Sequence, residues 1–163
     1  MHVYQEFYEV PDPRIVQQPP LFLHKILQET TSYSSTGDVL YTVPRGGSLL
    51  ALVQYVRANA NRTDSIDGFR TVFNKTDTPY NEERQLKRIV NRLQYGNEWP
   101  VGCYIHDFYH ATQEPFEGDS RDIIDTEALA SLEQITAITS GTTLGSGTNF
   151  VDSIRRIVQV VQM

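Results

Sequence analysis

The stretch Val43–Arg57, VPRGGSLLALVQYVR, narrows the folds open to this chain more than any other segment. A Pro-Arg-Gly-Gly turn at 44–47 leads into a run in which Leu49, Ala51, Val53 and Tyr55 fall on one side of an extended chain. Leu50, Leu52 and Val56 fall on the other, so a strand here would be buried on both faces. A helix fits the same residues, since Leu49, Leu52, Val53 and Val56 follow the i, i+3, i+4, i+7 pattern. The short run and its Gly-Gly entrance favour a central strand, although few of its residues are β-branched.

The flanking segments extend that reading. Residues 21–31 (LFLHKILQETT) suit a first strand, followed by a polar turn at 32–38. Val39, Tyr41 and Val43 alternate with Leu40 and Thr42 as a second strand leading into the central one. After the loop ANANRTDSIDG, residues 69–73 place Phe69, Thr71 and Phe73 on one face of a short strand. Pro79–Tyr95 has the marks of a helix. Thr78 can cap it, Pro79 suits its first position, Glu82 and Glu83 fall early, and Arg88 and Arg92 fall late. Leu86, Ile89, Val90 and Leu93 form a narrow apolar stripe, Gly96 can terminate the helix, and the stripe is expected to lie on the rest of the fold.

Trp99–His110 alternates as a strand, and 114–122 is an acidic loop. Asp125 or Thr126 can cap a brief helical turn, and 132–139 forms another strand. The Gly-rich connection 141–149 then leads into a β-branched final strand at 150–161. The expected architecture is all-β: a two-sheet sandwich or barrel of about eight strands with one inserted helix at about 79–95.

A length of 163 residues suits one domain with its own core, spanning 21–163. Residues 1–20 carry four prolines and few core formers, which fits a mobile tail or an extended N-terminal arm lying on a neighbouring subunit. The net charge of −6 argues against direct nucleic-acid binding, which normally uses clustered Lys and Arg. No apolar run is long enough to span a bilayer, and MHVYQEFYEV lacks the basic and apolar regions of a signal peptide. Asn61-Arg-Thr63 and Asn74-Lys-Thr76 therefore read as chance matches to the glycosylation pattern. The one cysteine, Cys103, cannot form an internal disulfide.

Candidate chemistry is sparse. On a strand, His106 and His110 share a face but their Cα atoms stand about 13 Å apart, too far to chelate zinc as a pair. Cys103 and His106 point to opposite faces, which defeats a nucleophile–base pairing. The run at 141–149 has no lysine and precedes a β-branched segment, unlike a phosphate loop. The acids Glu114, Glu117, Asp119, Asp122 and Asp125 lack the spacing of a calcium loop. No catalytic, cofactor or metal residue is assigned, and no enzymatic activity is expected.

The order of segments resembles the jelly-roll major capsid proteins of membrane-containing icosahedral viruses, in particular the small, single upright jelly-roll subunits of the sphaerolipovirus-like group. The resemblance lies in the strand–turn–strand unit at 29–57, in the helix before WPVGCYIHDF (99–108), and in IDTEALASL (124–132) leading to two terminal strands. It covers roughly residues 21–161 and implies a structural subunit of a capsid shell, located in the virion and assembled in the host cytoplasm. Such a subunit would self-associate as a dimer or higher capsomer and pack with a second capsid protein over an internal lipid membrane, without touching nucleic acid directly. Two other readings stay open. A β-sandwich carbohydrate- or receptor-binding module would display Trp99, Tyr104 and Phe108. A cupin-like enzyme would converge metal ligands from among His2, His24, His106 and His110.

Overall fold

The computed structural model describes residues 21–96, 99–109 and 123–161. The proposed arm at 1–20 and the acidic residues at 114–122 lie outside this set, as do His2 and His110. Ten strands and one helix run in the order β1 (Leu21–Ser32), β2 (Gly37–Thr42), β3 (Ser48–Ala58), β4 (Asn61–Arg62), β5 (Ile66–Phe73), β6 (Asp77–Glu83), α1 (Arg84–Tyr95), β7 (Cys103–Asp107), β8 (Ile124–Asp125), β9 (Leu132–Ile138) and β10 (Phe150–Val161).

The strands form two antiparallel sheets. One has the order β1-β10-β3, with β7, β8 and β4 paired along the far edge of β3. The other has the order β2-β9-β5-β6. The topology is that of a long antiparallel ribbon rolled up: β1 pairs β10, β2 pairs β9, β3 pairs β7, and β5 pairs β6. Consecutive strands alternate between sheets except at the β3–β4 and β5–β6 hairpins and at β7–β8, which both pair with β3, and this gives a jelly roll of eight main strands. The longest pairing, β1 with β10, joins Leu21 to Val161 and Ser32 to Phe150 without a register break.

The central stretch is a strand, β3, flanked by β10 on one side and by β4, β7 and β8 on the other. It is fully buried on one face only. Leu52, Gln54, Val56 and Ala58 face the other sheet, while Ala51, Val53, Tyr55 and Arg57 stay half-exposed. A two-sheet sandwich has one interior, so a strand central within its sheet still shows its outer face to solvent. Gly47, at φ 114°, brings the backbone against β10, where a Cβ would stand 2.4 Å from the Val158 carbonyl oxygen. Only glycine fits that approach.

Two expectations need correction. The helix begins at Arg84, because residues 77–83 form β6 and pair with β5 through Thr71↔Tyr80 and Phe69↔Glu82. Pro79 therefore lies in the sheet's edge strand, where a missing N–H is tolerated, and Glu82 and Glu83 precede the helix. Ile124–Asp125 forms a short bridge to β3 where a helical turn was expected. Thr126 fastens it by donating from Oγ1 to the Gly47 carbonyl at 2.6 Å, and its Oγ1 accepts from the Gly46 N–H at 3.1 Å.

Candidate functional site

Between the sheets lie two apolar clusters. One gathers Tyr41, Leu49, Leu52, Phe108, Leu132 and Ile157, and the other gathers Val39, Val56, Phe69, Tyr104, Ile138 and Val151. Along five strands a polar residue separates them: Gln54 on β3, Thr71 on β5, His106 on β7, Gln134 and Thr136 on β9, and Ser153 on β10. All are at most 3% exposed. A band of polar side chains thus crosses the middle of the core. Within it Thr71 Oγ1 donates to Gln134 Oε1 at 2.7 Å. Gln54 links both sheets at 3.4 Å, donating to Ser153 Oγ and accepting from Thr136 Oγ1. Such a band costs stability relative to an apolar core, and its partners fix the register of the facing strands.

At one side the band opens into a cavity of about 120 Å³ under α1, lined among others by Thr71, Glu82, Lys87, Val90 and His106. Glu82 joins two partners there, with Oε1 2.9 Å from Lys87 Nζ and Oε2 3.1 Å from His106 Nδ1. Burial, reinforced by the Lys87 charge, pushes His106 down to about 4, so it is neutral at pH 7. Its Nδ1–H then donates to the Glu82 carboxylate. Burial pushes that carboxyl up, but the His106 hydrogen bond and the Lys87 ammonium outweigh it and hold Glu82 below the usual carboxylate range. Burial also lowers Lys87, against the pull of Glu82.

A histidine oriented by a carboxylate is half of a nucleophile-activating arrangement, and the other half is a hydroxyl or thiol on the second nitrogen. Among the described residues His106 Nε2 has no hydrogen-bond partner, and the Thr71 hydroxyl is committed to Gln134. Cys103 is buried on the opposite face of β7, opposite Tyr55 of β3, and burial raises its thiol. Among the described residues no three His, Cys, Asp or Glu side chains converge as a metal site. The Glu82–Lys87–His106 group is built as a clamp between β6, α1 and β7.

The helix it clamps is inverted. Its polar side faces the sandwich. Asn91, fully buried, donates from Nδ2 to the Ile105 carbonyl at 2.9 Å and accepts from the Ile105 N–H at 3.0 Å, so its amide caps the edge strand β7 as a further peptide would. Tyr95 donates to Asp107 at 2.6 Å, Arg84 donates to the Asp64 carbonyl at 2.8 Å, and Arg88 pairs with the Asp64 carboxylate. Asp64 is a hub, since it also accepts from Gly102 N–H at 2.7 Å and Tyr104 hydroxyl at 2.8 Å. The apolar stripe faces outward: Leu86 is 57% exposed, Ile89 55% and Leu93 81%, and only Val90 turns toward the cavity. The expectation that this stripe covers the fold is therefore overturned. Lys87 and Asn91, both polar, are the buried residues of the helix.

Trp99, Tyr104 and Phe108 do not form the aromatic platform expected of a binding module. Tyr104 and Phe108 are 0% and 4% exposed inside the two core clusters, and of the three only Trp99, its indole donating to the Cys103 carbonyl at 2.5 Å, is partly accessible.

No family model matches the chain, and neither does any curated protein sequence. Among solved structures the chain is similar to the major capsid protein P2 of bacteriophage PM2, with a TM-score of 0.57 and 13% identity over 87% of this chain and 45% of that one. It is also similar to a chain of the PBCV-1 virus capsid, with a TM-score of 0.59 and 10% identity over 84% of this chain and 47% of that one. The shared feature is the jelly-roll fold. The chain spans less than half the length of each neighbour.

Proposed function

We propose that this chain is a structural subunit of an icosahedral viral capsid. The observation that carries the reading is the jelly-roll topology shared with chains from two viral capsids. The interior supports it, because His106, whose ring is held by the Glu82 carboxylate, is spent on packing the helix. On this reading the protein resides in the virion, after assembly in the host cytoplasm, and residues 21–163 form its shell domain, with 1–20 as an arm reaching a neighbour. On this reading a shell unit is made from several copies, or from this chain and a second capsid protein. The acidic balance of −6 suits a shell separated from the genome by an internal membrane.

Electron microscopy of the purified protein, with sedimentation velocity across a concentration series, tests this reading. Capsomers, sheets or shells are expected as concentration rises. A protein that stays monomeric throughout and is stabilised by a sugar would contradict the proposal and favour a binding module.

A further inference from the structure

Apart from Val90, helix α1 is fastened to the sandwich by polar groups. Arg84 and Arg88 hold Asp64, Lys87 holds Glu82, Asn91 holds the Ile105 backbone, and Tyr95 holds Asp107. No residue of α1 belongs to either apolar cluster. The sheets therefore bury nearly the same core whether the helix is seated or not.

Nor does the helix hold itself. It is 12 residues long, short for a helix that is stable alone in water. Glu83 at its N-cap makes no side-chain cap bond, and no acid lies in its first turn. Arg84, Arg88 and Arg92 follow at i, i+4 spacing with no acid between 84 and 95, so they repel along one side. Separated from Asp64 and Glu82, this segment unravels.

The anchors respond to acid. Three of them end on carboxylates, those of Glu82, Asp64 and Asp107. His106 meets Glu82 from β6 and the Lys87 charge from α1, while Tyr80 of β6 and Asp107 of β7 line the same cavity. Leu52 of β3 and Phe69 and Thr71 of β5 complete these surroundings and do not titrate. Burial, with Lys87 beside it, keeps His106 at about 4 while the helix is seated, against 6.5 for a free side chain. Opening returns it toward 6.5, so the open form takes up the proton first, and acid favours opening from pH 6.5 down to 4. His106 alone thus raises the opening constant about a hundredfold between pH 7 and pH 4.

We propose that α1 is an acid-released latch: the helix leaves the sandwich as a unit, uncovering the edge of β7 and the polar cavity, while both sheets stay folded. What the latch guards is the pair of Ile105 backbone groups that Asn91 satisfies, an edge onto which a further strand can pair once the helix is gone. The device belongs to this domain by itself and holds whether or not copies assemble.

Hydrogen exchange on the full chain tests it, read as protection factors so that the pH dependence of the exchange chemistry cancels. At pH 7 the amides of α1 and of Ile105 should be protected, but at least about tenfold less than those of Leu52 and Val151 in the core strands. By pH 4 the protection of α1 and Ile105 should fall about a hundredfold. His106→Gln should remove most of that fall. Tyr95→Phe, which deletes only the bond to Asp107, should lower protection in α1 several-fold at pH 7 and leave Leu52 and Val151 unchanged. This second variant keeps the test decisive if His106→Gln fails to fold. Equal protection of helix and core, or an equal loss in both with Tyr95→Phe, would overturn the proposal, since the molecule then opens in one step. So would α1 amides that are unprotected at pH 7, that stay level down to pH 4, or that lose protection as steeply in a folded His106→Gln.

Discussion

Strand β3 and helix α1 carry similar amounts of leucine, isoleucine and valine and use them in opposite ways. In β3, Leu52 and Val56 are 1% and 0% exposed and supply the two apolar clusters. In α1 the apolar residues face out, and the helix is held down by Lys87, Asn91, Arg84, Arg88 and Tyr95. The difference shows that amphipathicity states only that two faces differ. Which face turns inward depends on what the fold offers beneath. Under α1 the fold offers an unpaired strand edge, a carboxylate hub at Asp64 and the end of a buried polar band, and these demand polar partners.

The contrast can be broken at several points. Leu52→Ala, which opens a cavity in the apolar core, should lose about 2–5 kcal/mol in urea denaturation. A loss under 1 kcal/mol would mean that the clusters are not the main source of stability.

The clamp under the helix should make stability depend on pH. His106 titrates at about 4 when folded against 6.5 as a free side chain, so the unfolded chain takes up its proton first. Its contribution is complete above pH 6.5 and is lost as pH falls from 6.5 to 4, by about 3 kcal/mol at 1.36 kcal/mol per unit. Glu82, held below its ordinary range, adds a further loss below pH 4.5. Unfolding measured between pH 7 and 4 should show this decline, and His106→Gln should flatten it.

Asn91→Ala leaves the Ile105 N–H and carbonyl without their partners, at a cost of about 1–3 kcal/mol. Hydrogen exchange at the Ile105 amide should rise at the same time, and an unchanged rate would show that the helix does not cap β7. The smallest effect is expected at Leu93→Ala. Although it removes as much side chain as Leu52→Ala, it should alter the stability of the dilute monomer by no more than about 0.5 kcal/mol.

Much of the sandwich was legible in the sequence. Strands β1, β2, β9 and β10 follow their alternation or β-branched content to within two residues, because one buried face imposes a period of two. Where the reading failed, two signals competed. Thr78-Pro79 looks like a helix start, yet Tyr80 packs against Phe73 and Phe108 from an edge strand, so tertiary packing overrode local preference. The central strand's outer face looked core-like because Ala51, Val53 and Tyr55 are apolar, although in the sandwich they lie half-exposed. The polar band left a trace as well, since Gln54, His106 and Gln134 each interrupt an inward-facing apolar series. Their convergence depends on pairing between distant strands, which periodicity within one strand does not report.

The inversion of α1 is the central claim, and thiol labelling of Leu93→Cys tests it most directly. Cys103, 4% exposed, is the internal reference in the same molecule. In dilute protein at neutral pH the thiol introduced at position 93 should react with a disulfide reagent at close to the rate of an unfolded peptide, while Cys103 reacts only after unfolding. Protection of both thiols in the monomer would contradict the account.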